Sequence, residues 1–147
     1  MPAIYENLGI RFLYPENWSI VDEERDGWPR SVTVQSPETS FWTLLVYPPR
    51  QAIGPIIDHV IESIRETYEE LEVLEAKETI GDIATSGVDI CFFYLDLLVE
   101  AKIRVLSTPS ATLLWHCQAE SREFDKMEPV FQAIAVSLLQ TQVALPQ

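Results

Sequence analysis

Few side chains in this chain could run a reaction, and their spacing keeps them apart. Histidine occurs at His59 and His116, cysteine at Cys91 and Cys117. His116-Cys117 has the residue types of a thiol nucleophile and its base. Adjacent strand residues point to opposite faces, however, so these two cannot pair with each other. Both histidines are read as structural. The cysteines sit in apolar, strand-like runs; they are too few for a disulfide framework and too far apart for metal ligands, so buried free thiols are expected. Gly54 and Gly81 stand alone, and no loop is built to cradle phosphate. No catalytic residue, cofactor or metal is expected, and the chain is read as not an enzyme.

Two constellations suit binding better than catalysis. Asp58, Glu62, Glu66 and Glu70 recur at four-residue spacing with Glu69 beside them, which places them on one side of a helix. Such a row is either a solvated outer face or a docking strip for a basic partner. A rigid helix row cannot wrap a calcium ion. The second constellation is the strand Glu100-Ala101-Lys102-Ile103-Arg104-Val105. A tight turn to Ala111 sets Arg104 opposite Trp115 and Lys102 opposite Cys117. Arg104 could then stack on the indole, and Lys102, Arg104, Trp115 and His116 would form a sheet-face patch on an acidic molecule. Structural covering of the sheet is the competing reading. Trp28, in a charged loop before Pro29, is a candidate interface anchor.

The elements that must position these residues follow from periodicity. Ile10–Tyr14 and Trp18–Val21 are expected to form a first strand pair across the Pro15-Glu16-Asn17 turn. Asp22–Gly27 reads as an exposed charged loop. Ser31–Gln35 alternates with one wet face, and Phe41–Tyr47 is a more buried strand that Pro48-Pro49 ends. A helix opens near Pro55, with Ile57, Val60, Ile61, Ile64 and Tyr68 as its apolar stripe. Glu72–Glu78 reads as a strand, then Val88–Asp96, Val99–Ser107 and Ala111–Ala119. Val88–Leu95 is apolar at nearly every position and is expected at the centre of the sheet. In the last helix, to Leu139, Pro129 would be awkward in the interior. The reading preferred here starts the continuous helix near Glu128, after a separate turn over Ser121–Met127. Residues 140–147 are expected as a frayed tail. Strands, helix, strands, helix, with short strand connections, predict an α+β sandwich: a twisted antiparallel sheet flanked by helices.

Composition narrows the partners. The 147 residues are 47% hydrophobic, enough for one domain with a core over about residues 9–139. The net charge of −13 argues against nucleic acid and against an anionic membrane surface. Apolar runs are short and broken by charge, which excludes a membrane-spanning helix. No signal peptide is visible, and a cytoplasmic location is expected.

The opening Ile10-Arg11-Phe12-Leu13-Tyr14-Pro15-Glu16-Asn17-Trp18 resembles the Phe-x-x-Pro-x-x-Trp of the PsbP-like superfamily. The likeness continues through the middle helix after a Pro-rich strand end, and through Gly87 leading into Phe92-Phe93-Tyr94. It ends on Phe131-Gln132-Ala133-Ile134-Ala135-Val136-Ser137-Leu138, similar to the family's terminal Phe-x-x-Ile-x-x-Ser helix. The resemblance covers Gly9 to Leu139. It implies a PsbP-like α/β/α sandwich whose known members mostly bind proteins, including bacterial members similar to chaperones for hydrophobic segments. A non-enzymatic, adaptor- or chaperone-like protein-binding module is therefore expected, its partner basic or exposing apolar segments. The alternatives are a ligand-binding or enzymatic domain with a pocket between sheet and helix around Arg104, Lys102 and His116, and a self-associating homodimer.

Overall fold

The computed structural model describes residues 2–23 and 27–142. In chain order the elements are β1 (Ala3–Asn7), β2 (Ile10–Tyr14), β3 (Ser19–Glu23), β4 (Arg30–Gln35), β5 (Phe41–Tyr47), α1 (Ile53–Thr67), β6 (Glu72–Ile80), β7 (Ile83–Tyr94), β8 (Leu97–Ser107), β9 (Thr112–Glu120) and α2 (Ser121–Leu139). A seven-stranded antiparallel sheet runs β3-β4-β5-β9-β8-β7-β6, and β1-β2 form a separate hairpin. The fold is α+β, as expected.

Two cores flank the sheet. On one face Phe12, Trp18, Trp42, Trp115, Phe124, Phe131 and Leu138 join the β1–β2 hairpin and α2 to the strands. On the other, Ile56, Val60, Ile61 and Ile64 of α1 pack on Val88, Ile90, Ile103, Val105 and Leu114. Alternation along each strand serves both cores at once, Trp115 facing α2 and Leu114 facing α1.

The Phe-x-x-Pro-x-x-Trp segment is a clasp. Phe12 is fully buried, its ring 5.0 Å from both Tyr5 and Trp42. The Trp18 N–H closes the turn onto the Pro15 carbonyl at 3.0 Å, and the indole stands edge-on to Phe131. Ser137 explains the Phe-x-x-Ile-x-x-Ser spacing: its Oγ accepts from the Leu13 N–H at 2.9 Å and donates to the Ile134 carbonyl at 2.7 Å. The hairpin is thus tied to α2 through a side chain that stays bonded within the helix.

Several expectations need correction. β2 pairs with β1, not with β3, whose partner is β4. Ile4 and Leu8 are exposed in and beside β1, so the apolar alternation that marks a strand is weak there. Asp22 and Glu23 belong to β3, and of the expected charged loop residues 24–26 lie outside the described residues, as do 143–147 of the expected tail. The helix α2 is continuous through Pro129. Pro129 is exposed, so the carbonyl it orphans can face water. Phe124 before it and Phe131 and Ile134 after it share one core, and their burial offsets the roughly 3 kcal/mol a mid-helix proline costs. β7 is next to the edge strand rather than central. The strands buried on both faces are β8 and β9, where Ile103–Leu106 and Thr112–Trp115 are enclosed at every residue.

Gly87 faces Arg104 across the β7–β8 ladder. A Cβ on Gly87 would overlap the Ile103 carbonyl oxygen and come within 3.1 Å of the Arg104 Cα. The backbone of β8 cannot step aside without breaking its own pairing. Gly87→Ala is expected to destabilise the fold by about 1–3 kcal/mol, read as a lower urea midpoint; an unchanged midpoint would show that β8 has room to move.

Candidate functional site

The register expected around Arg104 is present. The Thr108 N–H meets the Ala111 carbonyl at 2.8 Å, closing the turn, and Arg104 lies opposite Trp115, Lys102 opposite Cys117. The patch expected from that register is not. Arg104 is 3% exposed and Trp115 equally buried, both beneath α2. His116, one residue from Trp115, faces the opposite side of the sheet, beside Phe41 at 5.3 Å. Period two therefore separates His116 from Lys102 and Arg104, and the cavity that holds Lys102 and Arg104 does not include His116.

Arg104 is instead the hub of a buried network. Its Nε donates to Glu78 Oε2 at 2.7 Å and its Nη2 to Asp89 Oδ1 at 2.8 Å. Nη1 donates to the carbonyls of Val88 and Ile103. The Gln132 amide on α2 donates to Glu78 Oε1 at 2.7 Å, so one carboxylate joins sheet to helix. Desolvation pushes the Glu78 carboxyl up, but the bonds from Arg104 and Gln132 outweigh it and hold it below the usual carboxylate range. Lys102 reaches Glu128 at 3.2 Å and lies over the Phe124 ring. The cavity among these groups, with Trp42 on its wall, is about 20 Å³, room for one water and no substrate. Burial pushes the Cys117 thiol up to about 12, which leaves it an inert core thiol at neutral pH. Cys91 is only half-buried.

The acidic row divides. Asp58, Glu62 and Glu66 are exposed on α1, with Arg65 pairing Glu62 at 3.1 Å. The helix stops at Thr67, so Glu69 and Glu70 lie beyond it rather than on the row. Tyr68 caps the helix, its N–H bonded to the Ile64 carbonyl at 2.9 Å. Its extended backbone sends the chain toward β6. Trp28 is 56% exposed, just before β4, toward the opposite end of the strand order from β6.

Glu69 and Glu70 instead rim a groove that sequence reasoning did not locate. β6 begins at Glu72, opposite Cys91, while β7 continues to Tyr94. Leu95 and Asp96, both at positive φ, turn the chain directly into β8. The overhanging β7–β8 tip exposes Phe93 (71%), Tyr94, Leu95 (78%) and Leu97. Tyr68 stacks on Phe92 at 4.1 Å and meets Tyr94 edge-on, forming a fixed aromatic wall. Between that tip and Tyr68–Glu72 lies an open groove of about 800 Å³ whose lining includes Glu69, Glu70 and Glu72 and no lysine or arginine. The uninterrupted Phe92-Phe93-Tyr94-Leu95 run was the sequence signal for it.

No protein-family model matches the chain, and no curated protein matches it. Solved structures do. The solution structure of cyanobacterial PsbP (CyanoP) from Synechocystis sp. PCC 6803 superposes with a TM-score of 0.65 at 11% identity, over 92% of this chain and 90% of that one. A crystal structure from Bacteroides thetaiotaomicron VPI-5482 superposes with a TM-score of 0.62 at 10% identity, over 98% of this chain; this chain spans 48% of that one. Among the described residues no helix is long and apolar enough to cross a membrane. The architecture and these superpositions together establish that the chain has the PsbP-like fold.

Proposed function

We propose that this chain is a protein-binding module and that the groove at the β7–β8 tip is its contact surface. The observation that carries this reading is the contiguous exposed set Phe93, Tyr94, Leu95 and Leu97 beside Glu69, Glu70 and Glu72. Large apolar side chains gathered at one place on a strongly charged molecule mark interaction surfaces. The adjoining carboxylates, on a chain of net charge −13, select a partner segment carrying Lys or Arg next to apolar side chains. The ligand-binding reading centred on Arg104, Lys102 and His116 has less support, since the cavity around Arg104 is water-sized.

The test compares three forms of the full chain in partner capture: wild type, Phe93→Ser/Leu95→Ser, and the row variant Asp58→Lys/Glu62→Lys/Glu66→Lys. All the replaced side chains are exposed, so folding is expected to survive each change, checked by thermal melting. A partner identified with wild type and re-measured in purified form is expected to bind the groove variant about tenfold or more weakly, and the row variant within a few-fold of wild type. Equal binding by the groove variant and wild type would sink the groove; selective loss in the row variant would move the site to α1.

A further inference from the structure

We infer that the partner segment binds in extended form, adding a strand to the open edge of β7; this rests on the groove being the contact surface. Phe92 and Phe93 are successive strand residues, so their side chains point to opposite faces of the sheet. Both nevertheless line the same groove, Phe93 directly and Phe92 beneath the Tyr68 ring stacked on it. A groove lined from both faces lies along the edge of a strand, where the backbone itself is within reach. That edge is open for a topological reason. Phe92, Phe93 and Tyr94 pair with Val99, Leu98 and Leu97 of β8 on one side, while β6 pairs with β7 only as far as Cys91. The chain that would have continued β6 bends away at Tyr68–Leu71, where Tyr68 is held by its ring stack on Phe92. What remains is the position of a missing strand segment, collinear with β6 and flanked by exposed aromatic side chains.

The occupant's chemistry follows. Strand addition takes affinity from main-chain hydrogen bonds and specificity from alternate side chains. One set of alternate side chains would meet Tyr68, whose ring covers the buried Phe92, on the α1 side. The other would meet Phe93, Cys91 and Glu72 on the α2 side, and Glu69 and Glu70 sit close by. A segment alternating apolar and basic residues satisfies both rows. The outer edge of β6 is also open, but its sequence Glu72–Ile80 carries no aromatic side chain to flank an added strand, and the Phe93→Ser/Leu95→Ser comparison below separates the two edges.

An added strand bonds through every second amide, which gives the experiment its signature. The probe is an acetylated nine-residue peptide alternating Lys and Val, measured by titration against the full chain and against Phe93→Ser/Leu95→Ser. Two further peptides carry backbone N-methyl groups, one on the Lys residues and one on the Val residues. Strand addition is expected to weaken one N-methylated peptide at least tenfold and leave the other within about threefold of the parent. Equal effects of the two N-methyl sets would overturn strand addition, while a parent peptide that still distinguishes wild type from the groove variant would leave the groove reading intact. A parent peptide that binds neither form would overturn both.

Discussion

Arg104→Ala is expected to destabilise the fold by about 3–5 kcal/mol, the cost of leaving one side of a buried ion pair without its partner. The guanidinium is enclosed, while Glu78 and Asp89, both within 2.8 Å, retain some access to water. Removing the cation leaves Glu78 partly desolvated with the Gln132 amide still bonded to it, and opens space beside Trp115 and Gly87. A control separates charge from volume. Arg104→Met combined with Glu78→Gln and Asp89→Asn removes the charges together and is expected to recover much of the loss, since apolar or neutral replacements of a whole buried ion set are often tolerated. Urea unfolding at pH 7 measures both. A loss below about 1 kcal/mol for Arg104→Ala would mean that water reaches the site and screens it. The folded carboxyl of Glu78 lies below its ordinary value of 4.5, so its contribution is present above that pH and is lost as pH falls through the folded pKa.

His116 gives a second large effect in a higher pH window. Burial lowers its pKa from an ordinary 6.5 to about 4, with the Gln118 side chain at 3.1 Å opposing the shift only in part. As pH falls below 6.5 the unfolded chain takes up a proton that the folded chain refuses until about pH 4. The unfolded state then binds more protons, so stability drops as pH falls across that interval, by about 1–3 kcal/mol, since the ring is half-buried and keeps some contact with water. Between pH 6.5 and 5 the slope belongs to His116 rather than to Glu78, which titrates lower. His116→Gln is expected to flatten the profile there. A variant that kept the wild-type slope would place the proton uptake on another group.

What the sequence made legible was whatever a short window of residues determines. Ser31–Gln35 and Phe41–Tyr47 show their alternation, α1 shows its stripe, and the Thr108–Ala111 turn sets the β8–β9 register by counting. The burial of Arg104 was not legible, because it depends on acids 15 and 26 residues away that only the sheet brings alongside. Gly87 was the available clue: a glycine within a long apolar strand marks a close backbone approach. The Val88–Leu95 run was legible as apolar but not as to place. A run that is continuous because both faces are covered looks the same as one that overhangs an edge, and here Ile90 is the first kind and Phe93 and Leu95 the second. The acidic row failed at its end for a similar reason, since four-residue spacing runs on through Glu70 while the helix stops at Thr67.

The position of β9 has a consequence for how the chain becomes whole. It is the last strand in sequence and the middle one in space, with β5 on one side and β8 on the other. Trp42 meets Cys117 and Lys102 meets Cys117 across its two ladders. A chain growing from its N-terminus therefore makes two half-sheets that have no bond to each other. Each carries one long open edge, β5 or β8, until Thr112–Glu120 arrives to sit between them. Sequence-distant closure of this kind is slow and leaves strand edges open to other chains in the meantime. The final strand is the keystone, and the same nine residues that unite the two cores are the ones a nascent chain must wait for.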